Sequence, residues 1–183
     1  MSLKELTKDS HTAAEATPFM KAVFKKSMPA NIWADYTYQK SNFYASIETV
    51  ARYEGLTVDM LEIERALRLY LDAKEMNNGV FPRLRPITIE YSRYLLDLVG
   101  QPERIMAHLY TWHMGDLFGG QMIKKVLADF PHRNLEFKDV DDLKVKMRTK
   151  LDVSMADEAN VAFQWAIKIM ESYNDELGVE HAD

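Results

Sequence analysis

The fold depends on the stretch Tyr110-Thr-Trp-His-Met-Gly-Asp-Leu-Phe-Gly-Gly-Gln-Met-Ile-Lys-Lys125, which has the character of a helix but contains three glycines. Each glycine inside a helix costs about 1 kcal/mol relative to alanine. At about 100° per residue, Gly115 and Gly119 share one face, flanked by Asp116 and Gly120. The helix therefore offers a bare backbone surface against which a flat partner could lie. Close packing of two helices uses the same spacing, and the stretch alone leaves both possibilities open.

The composition limits the class of protein. The chain has 183 residues, 47% of them apolar, which suits one domain over residues 1–183 with a buried core. The net charge of −5 argues against a general nucleic-acid binder. The absence of cysteine excludes disulfides and thiolate metal sites, and it fits a cytoplasmic location. No uncharged stretch approaches the roughly 18–20 residues that span a bilayer, so we expect a soluble protein without membrane contact.

Helical periodicity predicts an all-α fold. Glycine and proline fall mainly at the ends of segments with a 3.6-residue repeat, and strand-like alternation is nearly absent. Thr17 and Thr57 are predicted as N-caps, and Leu3, Leu6 and Ala14 are predicted to face inward. The predicted helices cover residues 3–16, 18–26, 29–54, 58–74, 88–99, 102–128, 140–152 and 154–177, with loops at 77–86 and 130–138.

One candidate metal ligand lies on the first predicted helix. His11 and Glu15 are four residues apart, so they share a face and the carboxylate can reach the imidazole. A carboxylate partner of this kind orients histidines that bind metals. A surface histidine with a helix partner has the same spacing, so the pair needs a second observation.

Basic residues form two stripes on the helix predicted at 140–152. Lys144 and Arg148 share one face, where they would suit carboxylates or phosphates beside a pocket. Lys146 and Lys150 share another face, and a solvated helix surface explains them equally well. The chain has no Gly-x-Ser-x-Gly elbow, phosphate-binding glycine loop or His-Glu-x-x-His zinc helix.

Two segments resemble the signatures of haem oxygenases. The longer, Ala107-His-Leu-Tyr-Thr-Trp-His-Met-Gly-Asp-Leu-Phe-Gly-Gly-Gln-Met-Ile-Lys-Lys125, resembles the family's distal-helix signature, A-H-x-Y-x-R-Y-L-G-D-L-S-G-G-Q-x-x-x-K. The other, Thr7-Lys-Asp-Ser-His-Thr-Ala-Ala-Glu15 followed by Phe19-Met20, resembles the proximal-helix segment. Weaker matches at Phe43-Tyr44 and Glu158-Ala-Asn-Val-Ala-Phe163 extend the similarity over most of the chain.

The resemblance implies an all-helical fold with haem between the first helix and the glycine-bearing helix. Haem b would be both cofactor and substrate, cleaved with dioxygen and external electrons to biliverdin, carbon monoxide and iron. His11 would ligate the iron, with Glu15 as the partner of its ring. Gly115, Gly119 and Gly120 would let the backbone approach the porphyrin closely, and Asp116 would hold a distal water. Lys4, Lys144 and Arg148 would bind the haem propionates. Tyr44 and Tyr110 would lie in or near the distal hydrogen-bond network.

Three residues depart from the family pattern. Trp112 stands where arginine is usual, His113 where tyrosine is usual, and Phe118 where serine is common. The arginine normally joins the distal network, so the water structure should differ here. A haem carrier that has lost turnover is therefore an alternative, and a helical relative that binds no haem is a third.

The electrons should come from outside, because the chain has no flavin or nicotinamide motif. Analogy with the family points to ferredoxin. Basic residues that could dock an acidic partner on this acidic chain are Lys8, Lys124, Lys125, Lys146 and Lys150.

Overall fold

The secondary structure of residues 2–179, the part of the chain that the computed structural model describes, is entirely helical, so the all-α prediction is confirmed. Three short 3₁₀ turns and one π-helical segment, Tyr110–Met114, join the α-helices. The ten α-helices are α1 Leu3–Leu6, α2 Lys8–Glu15, α3 Pro18–Phe24, α4 Ala30–Tyr53, α5 Ala66–Met76, α6 Pro86–Leu96, α7 Pro102–Leu109, α8 Gly115–Val126, α9 Val140–Thr149 and α10 Ala156–Glu171.

Helix α4 is the central element of the core. It packs against α5, α6 and α7, and its residues Phe43, Tyr44 and Ile47 are fully buried. One cluster of buried side chains extends from Leu3 to Tyr173, so both ends of the described chain contribute to the same core. The face of α4 directed away from solvent therefore fixes the positions of the helices that surround it.

The predicted first helix is divided at Thr7. The Thr7 hydroxyl donates to the carbonyl of Leu3 at 3.0 Å, and the residue leaves helical geometry at φ −107° and ψ 3°. Leu3 and Ala14 are buried as predicted. The prediction for Leu6 was wrong, because its side chain is 38% exposed on the short helix before the break.

The prediction that Thr57 caps a helix over residues 58–74 was also wrong. Helix α5 begins only at Ala66, and the Thr57 hydroxyl donates to Glu64 Oε1 at 3.1 Å. The physical reason is a tertiary cap: the Glu48 carboxylate of α4 accepts hydrogen bonds from the backbone N–H groups of Arg65 and Ala66. A side chain from another helix thus sets where α5 starts.

The helix predicted at 102–128 consists of α7, the π-helical segment and α8. The backbone stays helical through the junction, and α8 ends at Val126. The Thr111 hydroxyl donates to the carbonyl of Ala107 at 3.0 Å within the junction. A wide turn therefore precedes the glycines, in a position where π-helical turns often mark functional sites.

Candidate functional site

A cavity of about 330 Å³ lies between the N-terminal helices and α8. Its wall is mainly apolar, with contributions from α2, α3, α4, α8 and α10. Six of the predicted site residues line it: His11, Glu15, Gly115, Asp116, Gly119 and Gly120. Segments at least 100 positions apart in the sequence therefore meet in one concave site, as the small-molecule sites of proteins commonly do.

His11 lies in the α2 wall of the cavity with its ring free to bind. The Ser10 hydroxyl donates to Asn160 Oδ1 of α10 at 2.6 Å and so fixes this turn of α2. The imidazole meets the Phe163 ring edge-on at 5.7 Å, and the His11 side chain is 57% exposed. Glu15 Oε2 lies 3.7 Å from His11 Nδ1, too far for a hydrogen bond. An exposed imidazole whose ring nitrogens accept no hydrogen bond in the described chain can ligate haem iron.

Gly115 and Gly119 present bare backbone to open space. A Cβ atom added at either position would meet no neighbouring atom within 4 Å. Gly120 differs, because a Cβ there would lie 2.8 Å from Leu135 Cδ2. Gly115 and Gly119 thus leave open space beside the helix. Gly120 also lines the cavity, but its missing side chain makes room for Leu135.

A buried polar cluster surrounds Asp116. Lys40 Nζ donates to Asp116 Oδ1 at 2.7 Å and to Oδ2 at 2.9 Å, and the Tyr44 hydroxyl donates to Oδ2 at 2.8 Å. Burial, and then the Asp116 carboxylate, raise the pKa of Tyr44 well above its ordinary value, so Tyr44 stays a donor. Sequence reasoning missed Lys40, although a lysine one turn before Tyr44 on the apolar face of α4 is unusual enough to have been a signal.

Trp112 contacts a hydrogen-bonded chain on the other side of the cavity wall. Its indole Nε1 donates to the Tyr91 hydroxyl at 2.8 Å, and that hydroxyl lies 2.7 Å from His108 Nδ1. His108 Nε2 lies 2.9 Å from Glu158 Oε1. Burial opposes ionisation of Glu158, but hydrogen bonds from His108, Arg104 and Tyr94 outweigh it and lower its pKa to about 2. Glu158 is therefore an acceptor, and His108 donates to it while accepting from Tyr91.

His113 does not line the cavity. Its ring is fully buried against α4, with Nε2 2.9 Å from Glu48 Oε1. Glu48 is the same carboxylate that caps α5. His113 thus belongs to the core, and we assign it no role as an iron ligand.

The predicted propionate ligands lie outside the wall. Lys144 Nζ and the Arg148 guanidinium lie 4.6 and 5.5 Å from the centre of the Phe118 ring, and Phe118 itself lines the cavity. Among residues 2–179, the carboxylates near this helix pair with Lys146 and Lys150, and neither Lys144 nor Arg148 forms an ion pair. Lys4 is exposed on α1, and Tyr110 is half-buried at the start of the π-helical segment; neither lines the cavity.

Comparison with known proteins gives a consistent assignment. A family model described as "Heme oxygenase" matches residues 1–172. "Heme oxygenase 1" of Nostoc sp. is 26% identical over 199 aligned residues, which cover 93% of this chain and 84% of that protein. The crystal structure of Synechocystis sp. heme oxygenase-1 in complex with heme superposes with a TM-score of 0.82 at 23% identity, over 96% of this chain and 91% of that one. The structure of the enzyme from Leptospira interrogans gives 0.83 at 25% identity, over 94% and 100%.

Proposed function

Since the chain belongs to the haem oxygenase family, whose reaction is the oxidative cleavage of haem to biliverdin, we propose that its cavity holds haem b between α2 and α8 as both cofactor and substrate. The observation that carries this proposal is the pairing of a free imidazole, His11, with the bare backbone of Gly115 and Gly119 in one cavity. A flat ring needs such a space, and iron needs such a ligand.

The residues of the cavity fit haem in three respects. The wall is mainly apolar, as a porphyrin face requires. His11 offers an unpaired ring nitrogen, and Glu15 can approach its other nitrogen. Lys144 and Arg148 lie beside Phe118 at the edge of the cavity with no carboxylate partner in the described chain, so they are available to the propionates. We assign Lys4 and Tyr110 supporting roles at the propionates and in the distal network.

When bound, haem supplies the iron that activates dioxygen and the ring that is oxidised. The chain supplies the environment for that chemistry. Asp116 lines the cavity as a carboxylate held by Lys40 and Tyr44, and it can hold a water through its remaining acceptor capacity. The rest of the cavity wall is mainly apolar.

We further propose that a separate ferredoxin-type protein supplies the electrons in the cytoplasm. Lys146 pairs with Asp142 at 2.6 Å, Lys150 with Asp59 at 3.0 Å, and Lys124 lies 3.9 Å from Glu136. Lys8 and Lys125 are exposed. The net positive charge of the proposed docking surface is therefore lower than the sequence alone indicated. Lys8 and Lys125 are the positions at which we expect the strongest attraction to an acidic partner.

Haem titration of His11→Ala tests the assignment. Wild-type protein should give a Soret band characteristic of histidine ligation, and the variant should lose that spectrum because the iron loses its ligand. His132→Ala, at a half-buried histidine outside the cavity wall, is the matched control and should bind haem like the wild type. An unchanged haem spectrum in the His11 variant would contradict the assigned ligand.

A haem carrier without turnover remains the second candidate, favoured by Trp112 and Phe118 at positions where the family has polar residues. Mixing the haem complex with a reductant and oxygen separates the two functions. Loss of the Soret band with growth of a bilin spectrum supports the oxygenase. A haem spectrum that persists under these conditions supports the carrier.

A further inference from the structure

Lys40 is a buried cation whose positive charge the proposed function does not use. Lys40 is only 9% exposed, and its side chain extends from α4 to α8, where it contacts Asp116. The two carboxylate oxygens of Asp116 lie 2.7 and 2.9 Å from Lys40 Nζ, so the ammonium group binds both oxygens. Removing a charge from water is costly, so a buried lysine needs a partner of this kind.

On the side of the cavity, Lys40 and Asp116 do not use all of their hydrogen-bonding positions. A carboxylate has about four acceptor positions, and Lys40 and Tyr44 occupy three of those on Asp116. An ammonium has three hydrogens, and two are directed at Asp116. One acceptor position on Oδ1 and one hydrogen on Nζ thus have no hydrogen-bond partner among residues 2–179, although Nζ also lies 4.9 Å from the centre of the Tyr44 ring. Both residues line the cavity, so water or a ligand there can take up the free positions.

Trp112 cannot supply the charge that Asp116 needs. Its indole is neutral and has a single N–H, which is committed to Tyr91. No second cation among residues 2–179 lies within ion-pair distance of Asp116. The positive charge of the cluster therefore comes from α4 rather than from the helix that carries Asp116.

We infer that Lys40 is the positioning residue of this site: it fixes the Asp116 carboxylate toward the cavity and supplies the positive charge that the neutral Trp112 lacks. This inference rests on the proposed function for its catalytic consequence, because it assigns the water-holding role to the Lys40–Asp116 pair rather than to Asp116 alone. The pair itself exists in the chain without haem.

A double-mutant cycle in haem-free protein tests the pair. Lys40→Met and Asp116→Asn should each lower the melting temperature, and the double variant should lower it by less than the sum, because the Lys40–Asp116 interaction that each single change removes can be lost only once. Lys74→Met, at an exposed lysine of α5 outside the cavity wall, is the control for loss of one positive charge. Strictly additive changes would overturn the inference whether or not the protein binds haem.

The carbon monoxide complex of the reduced haem protein tests the electrostatic role. A positive charge near the carbon monoxide oxygen lowers its stretching frequency, so Lys40→Met should raise the frequency and reduce biliverdin formation at least about tenfold. Lys40→Arg, which keeps the charge, should restore much of both, and Lys74→Met should change neither. Wild-type frequency and turnover in Lys40→Met would show that Lys40 is only structural. Absence of a Soret band in the wild type would instead refute the proposed function, while the melting data would still decide the pair.

Discussion

A methyl group added at Gly119 would meet no atom within 4 Å, so the residue is not required by the packing of the protein itself. Gly119→Ala should therefore stabilise the haem-free protein by up to about 1 kcal/mol, because alanine is the better helix former. The same methyl group would occupy the space where we propose the porphyrin lies, so haem affinity and turnover should fall. Thermal unfolding of the haem-free protein and a haem titration measure the two effects.

Gly120→Ala is the matched control for this experiment. Its Cβ would lie 2.8 Å from Leu135 Cδ2, so Leu135 must move and the gain in helix propensity should be reduced or lost. If Gly119→Ala left haem affinity at the wild-type value, the close approach of haem to α8 would be contradicted.

Single residues were predictable from the sequence only where their role depends on local geometry. The common face of Gly115 and Gly119 follows from about 100° per residue, and both line the cavity. The partner of Asp116 could not be predicted, because Lys40 is 76 positions away and depends on how α4 packs against α8. The different role of Gly120 depends in the same way on Leu135, which is distant in the sequence.

At the scale of elements, the chain Trp112–Tyr91–His108–Glu158 joins the π-helical segment to α6, α7 and α10. The contribution of Glu158, at the acidic end of this chain, to the free energy of unfolding should depend on pH. The pKa of Glu158 is lowered from 4.5 to about 2 in the folded state. Between these values the unfolded chain binds a proton that the folded protein does not. The stabilisation is thus fully present above about pH 4.5 and is lost as the pH falls toward 2.

Glu158→Gln should accordingly reduce the free energy of unfolding at pH 7 by about 2–3 kcal/mol and flatten its decline between pH 4.5 and 2. Denaturant unfolding across this pH range measures both effects. Glu90→Gln, at an exposed position of α6, should follow the wild-type profile. A Glu158 variant with the wild-type slope would show that this carboxyl group does not titrate as assigned.

The elements themselves were predicted well where their ends carry local signals. Thr17 caps α3 as expected, with its hydroxyl accepting from the Met20 N–H, and Gly55 follows the end of α4 in a left-handed conformation. The start of α5 was missed because Glu48 caps it from another helix. The π-helical segment was missed because nothing in Tyr110–Met114 distinguishes a wide turn from an α-helical one before the packing of Trp112 and His113 is known.

At the scale of the whole molecule, the chain is acidic, and the reductant that we propose is acidic as well. Their association therefore depends on a small basic surface. Ferredoxin-dependent turnover should slow several-fold as ionic strength rises, because salt screens charges beyond about 8 Å at 0.15 M. Lys8→Gln combined with Lys125→Gln should reduce both the rate and its salt dependence, whereas Lys74→Gln should not. Turnover with a small uncharged reductant is the control. A ferredoxin-dependent rate that is flat with salt would exclude this surface.

The overall architecture was the most predictable level. Periodicity gave the all-α class, and two motifs in widely separated parts of the sequence resembled one family, to which the chain belongs. What the sequence could not provide was the ion pairs between separate elements. Lys150 and Lys124 look like free cations in the sequence, yet Asp59 and Glu136 lie beside them in the fold. The Lys146–Asp142 pair differs, because its i, i+4 spacing within α9 could have been read from the sequence.

The bare face of α8 also predicts how the chain should respond to selection. Alanine at Gly115 or Gly119 is disfavoured by no contact in the protein, so only the use of the cavity opposes it. A mutant library selected for thermal resistance without haem should therefore accumulate alanine at both positions. The same library selected for bilin formation should retain glycine. These two positions would then report whether a lineage descended from this protein still uses its cavity.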